Sequence, residues 1–191
     1  MELLEQKILK DGKIFQGNIL KVDNFLNHQV DVELIDAMGK DFAEHFADAG
    51  ITRVITLEVS GISMAYTAAK YLGVPMVFAK KIESLTLSDD VYSSKVVSYT
   101  KNKEYNIRVD RRFLLPTDRV LIVDDFLAKG EALGGLIDLC EQAGATIAGV
   151  GVAIEKVFQG GGPKYREKGY HIYSQAMIDH FTEDSVVFVE R

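Results

Sequence analysis

The chain has 191 residues, of which 47% are hydrophobic, enough to close one continuous core without disulfide or metal support, so a single domain over 1–191 is expected. Its formal net charge of -6, from 22 Lys and Arg against 28 Asp and Glu, repels a polyphosphate backbone, and no basic block or helix-turn-helix pattern offsets it, which argues against a nucleic-acid partner. A lone cysteine, Cys140, excludes an internal disulfide framework, and no apolar run approaches the length of a membrane span, so a cytoplasmic protein with no membrane partner is expected.

Met1 to Lys10 interleaves charged and apolar side chains as an amphipathic helix does. From Lys13 to Phe25, the aliphatics Ile14, Ile19, Leu20 and Val22 lie among Gly12, Gly17 and Asn18, which reads as short strands and turns. Polar Asn27, His28 and Gln29 then precede a helix from about Asp31 to Ala49, with Ile35, Met38, Phe42 and Phe46 on one face and Gly50 as its stop. Arg53 to Leu57 reads as a buried strand and Glu58-Val59-Ser60-Gly61 as the loop after it, with Ser60 a candidate N-cap for a small-residue helix ending near Gly73. Pro75 to Ala79 is a second buried strand.

Lys80 to Pro116 changes character, being polar and rich in β-branched and tyrosine residues, Tyr92 and Tyr99 among them. Asn102 falls at a turn between Val96-Val97-Ser98-Tyr99 and Ile107-Arg108-Val109, giving a long flexible hairpin that is either an inert edge or a functional loop. Arg119 to Val123 supplies a third strand and Ile147 to Ile154 a fourth, so strands alternate with helices as in a central parallel sheet of an α/β fold.

Residues 120 to 132 carry the most information. Val120 to Val123 lack polar alternation, as a strand buried on both faces does, and Asp124 and Asp125 follow at its carboxyl end, where open α/β sheets collect ligands. Ala128, Lys129 and Gly130 then lead into a helix with Leu133, Leu136, Ile137 and Cys140 at helical spacing; Cys140 on that stripe reads as a packed thiol. The unpartnered N–H groups of a helix start receive a phosphate, and small residues let it come close. Paired carboxylates suit vicinal hydroxyls or a hydrated magnesium ion, so a ribose 5-phosphate fits both ends.

The segment Val120 to Ala132 resembles the phosphoribosyl pyrophosphate motif of the type I phosphoribosyltransferases. Over nearly the full length the chain is most similar to the bacterial xanthine branch of that family, through Leu20 to Asn27, Thr56 to Ile62, Ser84-Leu85-Thr86-Leu87 and Ile154-Glu155-Lys156. One departure is that Ala128 and Ala132 stand where many members carry threonines, leaving backbone N–H groups, helped by Lys129, to hold the phosphate. The resemblance implies a type I fold with a small hood, mainly from residues 1–30 and the C-terminal part, and a hairpin over about 82–112 that closes on the reaction centre.

It also implies roles. Asp124 and Asp125 become the catalytic acid pair; Ala128, Lys129, Gly130, Glu131 and Ala132 receive the 5-phosphate; Glu58, Val59, Ser60 and Gly61 form the pyrophosphate loop, with Lys81 beside it. Magnesium travels with phosphoribosyl pyrophosphate rather than in a protein cage. Leu20 and Asn27 cover the base and Lys156 donates to a purine oxo group, although from the residues alone Leu20 is equally core, Asn27 a polar residue flanking a helix and Lys156 one more surface lysine. A homodimer is expected. Gly160-Gly161-Gly162 before Pro163 reads as a turn before a short helix, and His28, His45, His171 and His180 show no metal-ligand spacing with Cys140 or each other, so a zinc site is not expected. Transfer to hypoxanthine or guanine, and a non-catalytic regulator sensing the phosphoribosyl donor, remain as alternatives; Lys156 argues against adenine, whose amino group is itself a donor.

Overall fold

A computed structural model describes residues 1–15, 19–82, 90–98 and 103–190. Gly17, Asn18, Ser84 to Leu87, Tyr99 and Asn102 lie outside the described residues. Helix α1 (Glu2–Asp11) buries Leu4 and Ile8 and leads into the antiparallel pair β1 (Lys13–Phe15) and β2 (Ile19–Lys21). A single π-helical turn, Asp23–Asn27, buries Phe25 and Leu26 before α2 (Val32–His45). The Asp31 carboxylate caps α2 by accepting from the Leu34 N–H at 3.2 Å. The helix is shorter than its apolar face suggests, because Ala47–Ala49 tightens into a 3-10 turn that Gly50 ends.

The sheet is built from β3 (Arg53–Leu57), β4 (Met76–Ile82), β5 (Val91–Ser98), β6 (Lys103–Asp110), β7 (Arg119–Leu127), β8 (Thr146–Lys156), β9 (Ile172–Phe181) and β10 (Val186–Phe188). Their order is β10-β9-β8-β7-β3-β4-β6-β5. The five central strands, β9 to β4 in that order, run parallel, whereas β10, β6 and β5 each run antiparallel to a neighbour. From β3 the chain goes outward to β4 on one side and reaches β7 on the other, which makes the gap between the ends of β3 and β7 a topological switch point.

Helix α3 (Ile62–Leu72) follows β3 and α4 (Glu131–Ala143) follows β7, and the two cover opposite faces of the sheet. With α1 and α2, α3 closes a core containing Leu4, Phe25, Met38, Phe42 and Met64; α4, through Leu136 among others, closes the second with Ile107, Leu114 and Ile122. The β5–β6 hairpin is pressed onto α4, and Gln142 of that helix clasps the outer strand. Its amide nitrogen donates to the Ser93 carbonyl at 2.9 Å and its amide oxygen accepts from the Ser93 N–H at 3.3 Å. Helix α5 (Gly161–Glu167) lies between β8 and β9.

Three expectations are corrected. The third strand continues four residues past Val123, so Asp124 and Asp125 sit inside β7 rather than at its very end, held by pairing of Asp124 with Val152 and Leu127 with Glu155. Ser60 is not the N-cap of α3; Gly61 holds that position and no side chain caps the helix. Beyond Ile154 lie β9, whose mixed polar and apolar composition gave no apolar run to read, and β10, only three residues long.

Candidate active site

The carboxyl ends of β3, β4, β7 and β8 bring the candidate residues together. Asp124 is only 8% exposed, and each of the two acids bends back on its own strand. Asp124 Oδ1 accepts from the Asp125 N–H at 3.0 Å, and Asp125 Oδ1 from the Phe126 N–H at 2.9 Å. Burial, reinforced by the Asp125 charge, lifts the Asp124 carboxyl well above the ordinary carboxylate range; the Asp125 N–H and the positive Lys81 oppose this. A cation or a hydroxyl donor arriving there favours the ionised form of Asp124.

Lys81 reaches the same place from β4. Its ammonium lies 5.3 Å from the centroid of the Tyr105 ring, and its backbone N–H donates to Glu58 Oε1 at 2.6 Å. Glu58 thus fastens its loop to the next strand rather than reaching into the site. Gly61 is buried, Val59 is 74% exposed and the Glu58–Val59 peptide bond is cis. Asn27 lines the same groove of about 840 Å³ as Val59 and Ser60.

After β7 the chain turns through Ala128, Lys129 and Gly130 into α4, where Glu131 and Ala132 are the first two helical residues. Gly130 takes φ 83°, a left-handed conformation open to glycine, and there is no side-chain cap, so the first N–H groups of α4 face a cleft of about 340 Å³. That cleft is lined by residues 126–133 and by Tyr105. Helix α5 supports the turn from behind: the Gly161 N–H donates to the Ala128 carbonyl at 2.9 Å and the Tyr165 hydroxyl to the Gly130 carbonyl at 3.1 Å. A Cβ on Gly161 would stand 2.3 Å from that Ala128 oxygen. The Gly160-Gly161-Gly162 run is thus a buttress for the turn between β7 and α4, a part sequence reasoning missed; its signal was the demand for close backbone approach.

At the end of β8, the Lys156 ammonium lies 5.7 Å from the Phe126 ring centroid and 5.3 Å from that of Phe181, and burial lowers its pKa below the ordinary lysine value. The residue before it, Glu155, is fully buried and accepts from Arg166 at 2.7 and 2.6 Å and from the Ser174 hydroxyl at 2.5 Å. Neither Arg166 nor Ser174 had any signal in the sequence. Leu20 is placed apart from these groups, 7% exposed in the core cluster with Ile8 and Val186. Among the described residues no cluster of three or more His, Cys, Asp or Glu side chains forms a metal cage, and no helix is long and apolar enough to cross a membrane.

An acid pair on one strand, an anion-receiving turn after it and a lysine between two rings on the next strand together describe a sugar-phosphate site beside a flat-ligand site. Residues 21–183 match the model of the phosphoribosyl transferase domain. The chain is 50% identical over 188 residues to a xanthine phosphoribosyltransferase of Finegoldia magna, covering 98% of this chain and 99% of that one. It is 52% identical over 188 residues to that of Lactobacillus delbrueckii subsp. bulgaricus, covering 98% and 100%. Among solved structures, the adenine phosphoribosyl transferase of Trypanosoma brucei shares the fold with a TM-score of 0.75 at 18% identity, over 91% of this chain and 78% of that one. The enzyme of Giardia lamblia gives 0.68 at 30% identity, over 78% and 82%. The chain belongs to the phosphoribosyltransferase family, among the xanthine phosphoribosyltransferases.

Proposed function

We infer that the protein transfers the 5-phosphoribosyl group from phosphoribosyl pyrophosphate to N9 of xanthine, giving xanthosine 5′-monophosphate and pyrophosphate for purine salvage. The observation that carries the substrate choice is Lys156, a cation between Phe126 and Phe181 on the strand next to the acid pair. Two rings beside a cation suit a planar base rich in oxo groups, and xanthine has two and readily loses a proton.

The reaction exchanges one bond for another: N9 bonds to C1′ as the C1′–O bond to pyrophosphate breaks, and the N9 proton leaves to solvent. No covalent enzyme intermediate is required, so the protein's work is placement and charge. Backbone N–H groups at the start of α4, with Lys129, hold the 5-phosphate; Asp124 and Asp125 accept from the ribose hydroxyls; residues 58–61 face the leaving group while Lys81 offsets its charge. Asn27 covers the base from the rim of its groove.

Magnesium fits this donor set as a companion of pyrophosphate, where it neutralises the leaving group. Asp124 and Asp125 are the acceptors nearest to hand for its water shell. The protein acts as a cytoplasmic homodimer in this reading. A second copy is supported by the exposed apolar side chains Val32 and Tyr66, 74% and 62% exposed, a surface that a monomer leaves to water.

The test is pyrophosphate release with the phosphoribosyl donor and magnesium, comparing xanthine, guanine, hypoxanthine and adenine at equal low concentrations. Preference for xanthine is expected. Preference for another base overturns the substrate assignment and keeps the reaction; no release with any base favours a donor-sensing regulator.

A further inference from the structure

His45 closes α2 and His171 precedes β9, at the edge of the sheet opposite the ends of β3 and β7. They are 126 positions apart in the chain, yet their Nε2 atoms lie 3.2 Å from each other. In a tetrahedral zinc site with Zn–N bonds of about 2.0–2.1 Å, two imidazole nitrogens stand about 3.3 Å apart and their ring centres about 5.2 Å apart, whereas an in-line hydrogen bond of the same length would part the centres by about 5.5 Å. The ring centroids here are 5.2 Å apart. The two Nε2 atoms thus stand at about the separation that a shared zinc ion requires.

The surroundings hold the rings in that pose. His45 stacks on Tyr173 with centroids 3.8 Å apart and planes 9° from parallel, and Phe46 meets both imidazoles edge-on at 4.8 and 5.2 Å. The Tyr173 hydroxyl is anchored in turn on Asp41 Oδ2 at 2.9 Å, one turn before His45 on the same helix. A ligand pair already fixed in its rotamers loses little freedom on closing around an ion.

We propose that His45 and His171 form a bidentate site for a divalent transition-metal ion of the zinc class, water completing its coordination. On binding, the ring that donates within the pair shifts its proton from Nε2 to Nδ1, leaving both Nε2 lone pairs to the ion with no net proton loss. Magnesium, which prefers oxygen ligands, does not compete. The ion clamps the end of α2 to the start of β9, a place from which it does not touch the transfer reaction.

The experiment titrates the full chain with zinc chloride in excess magnesium, followed by calorimetry and by histidine ring ¹H–¹⁵N correlation spectra. Of the four histidines, the Nε2 signals of His45 and His171 should move together at one equivalent of zinc, and the thermal midpoint should rise. His45→Asn and His171→Asn should each weaken binding at least tenfold and leave the zinc-free transfer rate unchanged. Movement of the His28 or His180 signals with those of His45 and His171 static overturns the proposal in the wild type alone, whatever the variants do. So does a double variant that binds zinc as tightly as the wild type.

Discussion

Arg166→Met removes the guanidinium from a carboxylate that has nowhere else to turn. Glu155 is 0% exposed, and two of its three hydrogen bonds come from Arg166, at 2.7 and 2.6 Å, leaving the Ser174 hydroxyl as the remaining donor. Breaking a buried pair from one side costs about 3–5 kcal/mol, because the other charge stays buried without its partner. The Arg166 side chain is 33% exposed, so water reaches one flank of the pair and the lower end, about 3 kcal/mol, applies. For a domain of this size that is a fall in melting temperature of about 6–12 °C. Thermal and urea unfolding of Arg166→Met, Glu155→Gln and the double variant would measure it, and the double variant should recover part of the loss, having no unpaired charge. Since Glu155 directly precedes Lys156, the Michaelis constant for xanthine should rise more in Arg166→Met than that for the phosphoribosyl donor. A single variant within about 0.5 kcal/mol of wild type, the scatter expected of a surface change, would refute the claim that the pair holds the end of β8.

Asp124→Asn combined with Asp125→Asn should abolish turnover while leaving stability unchanged or raised, since a buried carboxyl is removed; near-normal activity would exclude the acid pair from the reaction. Lys156→Ala should raise the Michaelis constant for xanthine far more than that for the donor, and equal effects on both would take Lys156 out of base recognition. Asp118 accepts from Arg53 at 2.7 Å, the Leu115 N–H at 2.8 Å and Thr52 at 3.1 Å. Although burial pushes its carboxyl up, these donors, Arg53 foremost, hold it below the ordinary value of 3.8. A folded pKa below the unfolded one means stability present above the unfolded value and lost as pH falls through the folded one. Asp118→Asn should therefore melt lower than wild type at pH 7, with the gap closing toward pH 3; a gap independent of pH would contradict this.

The parts of the fold legible in the sequence are those where one physical pattern acts alone. Val120 to Val123 are buried on both faces and read as such, and the stripe of Leu133, Leu136, Ile137 and Cys140 placed α4, hence the turn before it. The length of β7 was not legible, because Asp124 and Asp125 have poor strand preference and only pairing with β8 keeps them extended. Strand β9 was hidden by Ser174 and Gln175, polar residues buried through partners distant in sequence: Ser174 bonds Glu155, and Gln175 donates to the Met38 carbonyl and to Asp41. His45 and His171 meet only because α2 ends beside the start of β9, and no spacing rule reaches across 126 positions.

Strand β5 ends the sheet, and a strand with a bare flank is an invitation to any other extended chain. Gln142 answers it by imitating a strand: one side-chain amide takes both the N–H and the carbonyl of Ser93, the pair of groups an incoming backbone would need. Since the same helix begins at the turn after β7, the part that shields the sheet from polymerising is also the part that receives the 5-phosphate in the proposed reaction. Losing that amide would then show itself first as a fall in solubility, with the chemistry at the far end of the helix still running.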